Sequence, residues 1–190
     1  MKVGVLALQG AFREHREALE SLGVSVGEVR TPDALDGVAA LVIPGGESTT
    51  MHHLLASSGL LDPLQRAIVD GLAVFGTCAG LILLAREVLD GRADQTPLGA
   101  IDLTARRNAY GRQRDSFEAE LAVTGLEGPS FPGVFIRAPA IERVGDAVVV
   151  LAEHNGRPVL AKEGRVWVSS FHPELAGDGR VHERFLEEIA

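Results

Sequence analysis

Val74-Phe75-Gly76-Thr77-Cys78-Ala79-Gly80-Leu81-Ile82 reads as a strand, a sharp turn and a helix. Residues 72–75 form an apolar run with strand character, and residues 81–87 have helical character. The G-x-C-x-G frame between them is the grammar of a nucleophile elbow, in which small residues let the chain reverse and push one reactive side chain clear of a sheet. Cys78 is the only cysteine in the chain. A helix starting just after it would aim unpaired N–H groups and a positive dipole end at the sulfur, favouring thiolate over thiol. The competing reading is a small buried hydrophobe, since free cysteines are commonly buried. The surrounding chain has to decide between them.

Working outward, residues 3–8 are almost continuously apolar, as expected of a parallel strand covered on both faces. Residues 11–22 follow as an amphipathic helix, with Phe12, Ala18, Leu19 and Leu22 on one side and Gly23 as its stop. Strands are expected at 25–29 and 40–43. Pro44-Gly45-Gly46 is then a breaker cluster, after which Ser48 or Thr49 could cap a helix running to about Ser57. Asp62-Pro63 opens another helix, with proline in its first turn. This alternation predicts an α/β fold with a doubly wound, mostly parallel sheet flanked by helices. The second half differs in texture. Strand-like runs at 101–105, 117–123, 134–136, 147–153, 157–162 and 165–171 are joined by turns such as His154-Asn155-Gly156-Arg157 and Glu163-Gly164. They predict an antiparallel extension. A last helix is expected at 181–189. With no repeat and no long linker, residues 1–190 are expected to form a single domain.

Composition narrows the class. A net charge of −8 argues against a nucleic-acid binder, which normally carries a basic face. One cysteine allows no intrachain disulfide and suits a reducing cytosol. No apolar run approaches the length of a membrane span, and the opening residues resemble a core strand rather than a signal peptide. A cytoplasmic location is the expectation. The chain has no G-x-x-x-x-G-K-[ST] loop, no G-x-G-x-x-G after the first strand and no H-E-x-x-H. Neither a cofactor nor a metal is implied.

A reactive cysteine needs a base, and six histidines are available. His15, His52, His53 and His182 lie in helical segments, where solvated or packing roles are expected. His154 falls in a hairpin turn, where a surface role is expected. His172 ends the strand 166–171, and the functional crevice of an open α/β sheet lies beyond the carboxyl ends of its strands. Cys78 and His172 would therefore share one edge. Glu174, past a rigid proline, can fold back onto the imidazole, fixing its tautomer and stabilising its charged form. One oxyanion donor would be the Ala79 N–H. A second could come from Gly45-Gly46 on the same rim, unless that pair is only a turn.

Gly76-Thr77-Cys78-Ala79-Gly80 with His172 and Glu174 resembles the class I (triad) glutamine amidotransferases. The resemblance is closer still to the glutaminase subunits of pyridoxal 5′-phosphate synthases. It is carried by residues 4–10 with Glu14-His15, by Pro44-Gly45-Gly46-Glu47-Ser48-Thr49-Thr50-Met51, by residues 107–113 and 115–118, by residues 133–139 and 153–157, and by Ser170-Phe171-His172-Pro173-Glu174-Leu175. The triad alone indicates a glutaminase; Gly46-Glu47-Ser48-Thr49-Thr50 and Phe135-Ile136-Arg137-Ala138-Pro139 point to the narrower group. The resemblance implies that Cys78 is the nucleophile, His172 the acid/base and Glu174 its orienter. It implies glutamine binding by Gly46, Glu47, Ser48, Arg107, Ile136 and Arg137, with Gly46 and Ala79 forming the oxyanion hole. Glu47 could receive the substrate ammonium, and Arg107 or Arg137 its carboxylate. The implied activity is hydrolysis of L-glutamine to glutamate and ammonia, passed to a (β/α)8-barrel synthase that combines it with a pentose phosphate and a triose phosphate. The rivals are a glutaminase serving another synthase, such as one in histidine biosynthesis, a cysteine hydrolase or peptidase on a related sandwich, and a binding module with a merely structural elbow.

Overall fold

The structure, a computed structural model, describes residues 1–91, 95–107 and 116–189. Its centre is a seven-stranded sheet built from β1 (Lys2–Leu6), β2 (Ser25–Val29), β3 (Ala40–Ile43), β4 (Ala73–Thr77), β10 (Val149–His154), β11 (Arg157–Glu163) and β12 (Val166–Ser169), in the order β10-β11-β12-β4-β3-β1-β2. The five strands from β12 to β2 run parallel, and β10 and β11 extend them antiparallel. The chain moves from β1 to β2 on one side and then to β3 on the other. That reversal opens a crevice at the carboxyl edge between β1 and β3.

The near-continuous apolar strands cover two cores. Ala40 and Val42 of β3 face one, with Val3, Val5, Ala73, Phe75 and Trp167; Leu41 and Ile43 face the other, with Leu6 and Val74. Successive strand residues point to opposite faces, so a strand covered twice has no polar position to spare. The first core is closed by α1 (Phe12–Ser21) and α5 (Arg180–Glu187), through Leu19, Val181 and Phe185, and by the hairpin β7 (Ser116–Leu121)–β8 (Phe131–Ile136). The second is closed by α2 (Ser48–Ser57), α3 (Leu61–Val69) and α4 (Ala79–Leu84), and by a three-stranded sheet of β5 (Ala85–Leu89), β6 (Ile101–Arg106) and β9 (Ala140–Val144).

Two hairpins follow the expected turns. His154 pairs with Arg157 around Asn155 and Gly156, both at positive φ (51° and 73°), and Glu163 pairs with Val166 across Gly164-Arg165. Elsewhere the chain departs from its local pattern. The helix expected over 81–87 ends at Leu84, because the N–H groups of Leu98 and Ala100 take the carbonyls of Leu83 and Leu84 at 2.7 and 2.8 Å. Residues 85–89 then pair in parallel with β6 instead. That strand and β9 carry no clear alternation, and neither was expected. The cap of α2 is Glu47 rather than Ser48 or Thr49.

Candidate active site

Cys78 sits between β4 and α4 with φ 50° and ψ −99°. A β-carbon-bearing residue with φ in this range is strained, and such strain persists only where neighbours over-determine it. Here the neighbours are close. A Cβ at Gly76 would lie 2.6 Å from the Gly80 carbonyl carbon, and one at Gly80 would lie 2.2 Å from the Ile43 carbonyl oxygen. The two glycines of the G-x-C-x-G frame thus let α4 press onto β4 and β3. The Cys78 N–H is anchored to the Ser169 carbonyl of β12 at 2.8 Å.

The same pairing brings the histidine. Ser169 is in register with Thr77, so the chain beyond β12 emerges beside Cys78. The His172 N–H is held by the Val134 carbonyl of β8 at 2.8 Å, and a short 3₁₀ turn, Pro173–Leu175, folds Glu174 back under the ring. His172 Nδ1 lies 2.7 Å from Glu174 Oε1, and the imidazole and Cys78 line one cavity. Burial opposes a charge on His172, but hydrogen bonds to Cys78 and Glu174 and the negative charge of both outweigh it. Its pKa is raised to about 10. Glu174, whose side chain is fully buried, is held below the ordinary carboxylate value. Burial pushes it up, and the imidazoles of His15 and His172 more than compensate.

In front of this group lies an open cavity of about 400 Å³. Gly45 forms its wall against the imidazole: a Cβ there would sit 2.4 Å from His172 Cε1 and 3.3 Å from the Cys78 Cβ. The Gly45 carbonyl accepts from the Ala11 N–H at 3.0 Å, which ties the Gly45–Gly46 peptide to the loop after β1. The Glu47 N–H donates to Gln9 Oε1 at 2.9 Å, a second tie to that loop. Ala79 is the first residue of α4, so its N–H has no acceptor within that helix, and the residue lines the cavity beside Cys78.

All the residues named from sequence for this site, namely Gly46, Glu47, Ser48, Cys78, Ala79, Arg107, Ile136, Arg137 and His172, line the cavity except Glu174, which stands behind His172. Their states differ from the simplest expectation. Glu47 accepts from the N–H groups of Thr49 and Thr50 at 3.1 and 2.7 Å and from the Thr50 hydroxyl at 2.7 Å. Burial is the largest single influence and resists its charge, but these bonds together outweigh it and bring its pKa down to about 2. Arg107 rests on Glu47 Oε1 and Thr49 Oγ1, each at 3.3 Å. Arg137 follows β8 with φ 45° and has no ion-pair partner among the described residues. Residues 108–115 of the resembling segments lie outside the described residues.

Gln9 was not among the residues named for the site's chemistry, and Gly45 entered only as one of a glycine pair that could supply an oxyanion donor. Gln9 follows a strand at the carboxyl edge, which was the available signal. Of the solvated or packing roles expected for His15 and His182, the structure gives the packing one: both are fully buried, and His15 also reaches Glu174. Among the described residues no cluster of His, Cys, Asp and Glu is arranged to hold a metal ion.

A cysteine at an elbow, a buried imidazole–carboxylate pair behind it and free N–H donors beside it can attack an amide and hold the resulting oxyanion. The comparisons with known proteins agree with that class. A profile of the SNO glutamine amidotransferase family matches residues 5–190, and the chain belongs to that family. It is 53% identical over 188 residues to the pyridoxal 5′-phosphate synthase subunit PdxT of Parafrankia sp., covering 99% of this chain and 93% of that protein. It is 55% identical to the protein of the same name from Mycobacteroides abscessus, covering 98% and 96%. A crystal structure of a glutamine amidotransferase superposes with a TM-score of 0.93 at 52% identity, covering 98% of each chain.

Proposed function

We propose that this chain is the glutaminase subunit of a pyridoxal 5′-phosphate synthase, one domain over residues 1–190 that works in the cytoplasm. The observation that carries the chemistry is Cys78 and His172 on one cavity wall, with Glu174 hydrogen-bonded behind the imidazole, at the carboxyl edge of a sheet shared with amidotransferase relatives. The reactive form of Cys78 is the thiolate, beside a protonated His172. Its sulfur attacks the side-chain amide carbon of L-glutamine, and the oxyanion rests on the N–H groups of Ala79 and Gly46. As the tetrahedral adduct collapses, His172 gives its proton to the leaving nitrogen, ammonia departs and a γ-glutamyl thioester remains. Neutral His172 then takes a proton from water. The hydroxide adds to the thioester, the C–S bond breaks, and glutamate leaves with the thiolate–imidazolium pair restored.

Arg137 is the candidate for the substrate α-carboxylate, since Arg107 is already engaged. Glu47 keeps lone pairs for the α-ammonium while capping α2, and Ser48 and Ile136 complete the lining. The ammonia passes to a (β/α)8-barrel synthase subunit, as the names of the relatives support. Among the described residues, no helix is long and apolar enough to cross a membrane.

The test is glutamate release by the full chain in the presence of the synthase subunit. Cys78→Ala should lower turnover by roughly 10⁴-fold or more while leaving the fold intact, as expected for a member of a catalytic unit. Undiminished turnover in that variant would end this reading. Copurification with a different synthase would redirect it to another amidotransferase.

A further inference from the structure

The triad, on whose reading this inference rests, uses one oxygen of Glu174. The other is as deeply buried and accepts no hydrogen bond among the described residues, but it has a close neighbour that the mechanism above leaves idle. His15 Nε2 of α1 lies 3.2 Å from Glu174 Oε2, with both side chains fully buried. The same nitrogen lies 3.0 Å from Thr77 Oγ1 of β4, next to the cysteine. The other nitrogen of His15, Nδ1, lies 2.9 Å from His182 Nε2 of α5. His182 Nδ1 has no partner among the described residues. We propose that His15 is a positioning residue for the glutaminase reaction, its Nε2–H lying against the second carboxylate oxygen of Glu174 while it bonds Thr77, and His182 fixing the tautomer that places it there.

The proton assignment follows from the contacts. A carboxylate oxygen only accepts, so a bare Nε2 lone pair facing it at 3.2 Å would be repelled. Nε2 therefore carries the hydrogen, directed at Thr77 Oγ1 with the carboxylate oxygen alongside. Nδ1 is then bare and accepts from His182 Nε2–H. That leaves His182 Nδ1 as an unpaired lone pair rather than a buried N–H, the cheaper of the two defects. The opposite tautomers would bury an unpaired N–H and face two lone pairs together. Burial holds both imidazoles below their ordinary value, against the pull of Glu174, so each stays neutral.

Neutrality matters to the chemistry. A cation behind Glu174 would draw the carboxylate away from His172, whereas a neutral N–H fixes its plane and leaves its charge directed at Nδ1. The carboxylate then keeps one place while His172 loses and regains its proton.

The experiment is a set of variants of the full chain, assayed for glutamine hydrolysis with the synthase subunit present. Glutamine at position 15 can place an N–H where Nε2 stood, while asparagine reaches only the Nδ1 position. His15→Asn should lower kcat roughly 10-fold, the size of one lost close polar contact to a carboxylate, with little change in KM. His15→Gln should recover most of that loss. In a Glu174→Ala background, His15→Asn should cost nothing further, since the two act as a unit. Equal kcat in the Asn and Gln variants, or an undiminished Asn effect without Glu174, overturns the proposal. Nitrogen-15 NMR of the unsubstituted protein gives a check that needs no variant to fold: His15 should be a neutral Nε2–H tautomer, and an imidazolium or Nδ1–H form overturns it. Full turnover in Cys78→Ala would instead defeat the triad reading on which the proposal stands.

Discussion

The front and the rear of Glu174 hold imidazoles in opposite states within one run of contacts. His172 in front is raised to about 10, and His182 at the rear is lowered to about 3. Burial does not separate them, since His172 is only 7% exposed and His15 and His182 are 0%. What each ring faces does. His172 lies between two groups that become anions, Cys78 and Glu174, while His182 faces only another imidazole directly. Against a similar burial penalty, the charges close to His172 are enough to reverse it and those near His182 are not. The front is thereby suited to donating and taking protons, and the rear to holding a carboxylate still.

The strongest way to break the front is steric. Gly45→Ala places a methyl carbon 2.4 Å from His172 Cε1, and a ring wedged between β8 and Glu174 has little room to yield. Turnover should fall about 100-fold, the usual cost of roughly 1 Å of misplacement in a catalytic group. Thermal unfolding should change far less. Unchanged kcat would mean that the ring is not fixed where its contacts place it.

The rear is sharpened by acid. His182 has a folded pKa below its unfolded value, so its contribution is full above pH 6.5 and is lost as pH falls toward 3. From pH 6.5 to 5 the unfolded chain takes up that proton and the folded chain does not. The unfolding free energy should therefore drop by about 2 kcal/mol from this residue alone. His15 adds to the same limb. His172 has the opposite sign: its contribution is full below pH 6.5 and fades as pH rises through about 10. Denaturant titrations across pH test both limbs, and His182→Leu should flatten only the acid one. An acid limb unaltered in that variant would place its origin elsewhere.

The smallest expected effect lies at the cavity rim. Glu47→Ala removes the α2 cap and should cost about 1 kcal/mol of stability. It also frees Arg107 from its carboxylate, so KM for glutamine should shift while kcat moves little. Loss of kcat with unchanged KM would place Glu47 among the groups that act on the reacting atoms.

The sequence by itself determined the elbow, the parallel strands and the strand-end histidine, for local reasons. Gly76 and Gly80 flank Cys78 in a frame that permits close approach, and strands covered on both faces must read as unbroken apolar runs. His154-Asn155-Gly156-Arg157 likewise carries its own turn chemistry. Only the tertiary structure decided where β5 and β9 lie, because residues 85–89 leave the helix when the 98–100 segment captures its last carbonyls. It also decided that Glu47 is a cap paired with Arg107, sixty residues away in sequence. The histidines illustrate the same limit most clearly. His15 and His182 are separated by 167 positions, on helices whose periodicity says only that one face is buried. Their contact with each other and with Glu174 exists because α1 and α5 pack on the same face of the sheet, against Phe75 and Trp167. A polar side chain on an apolar helix face looks the same in sequence whether it meets a carboxylate or not. Its partner is a property of the packing.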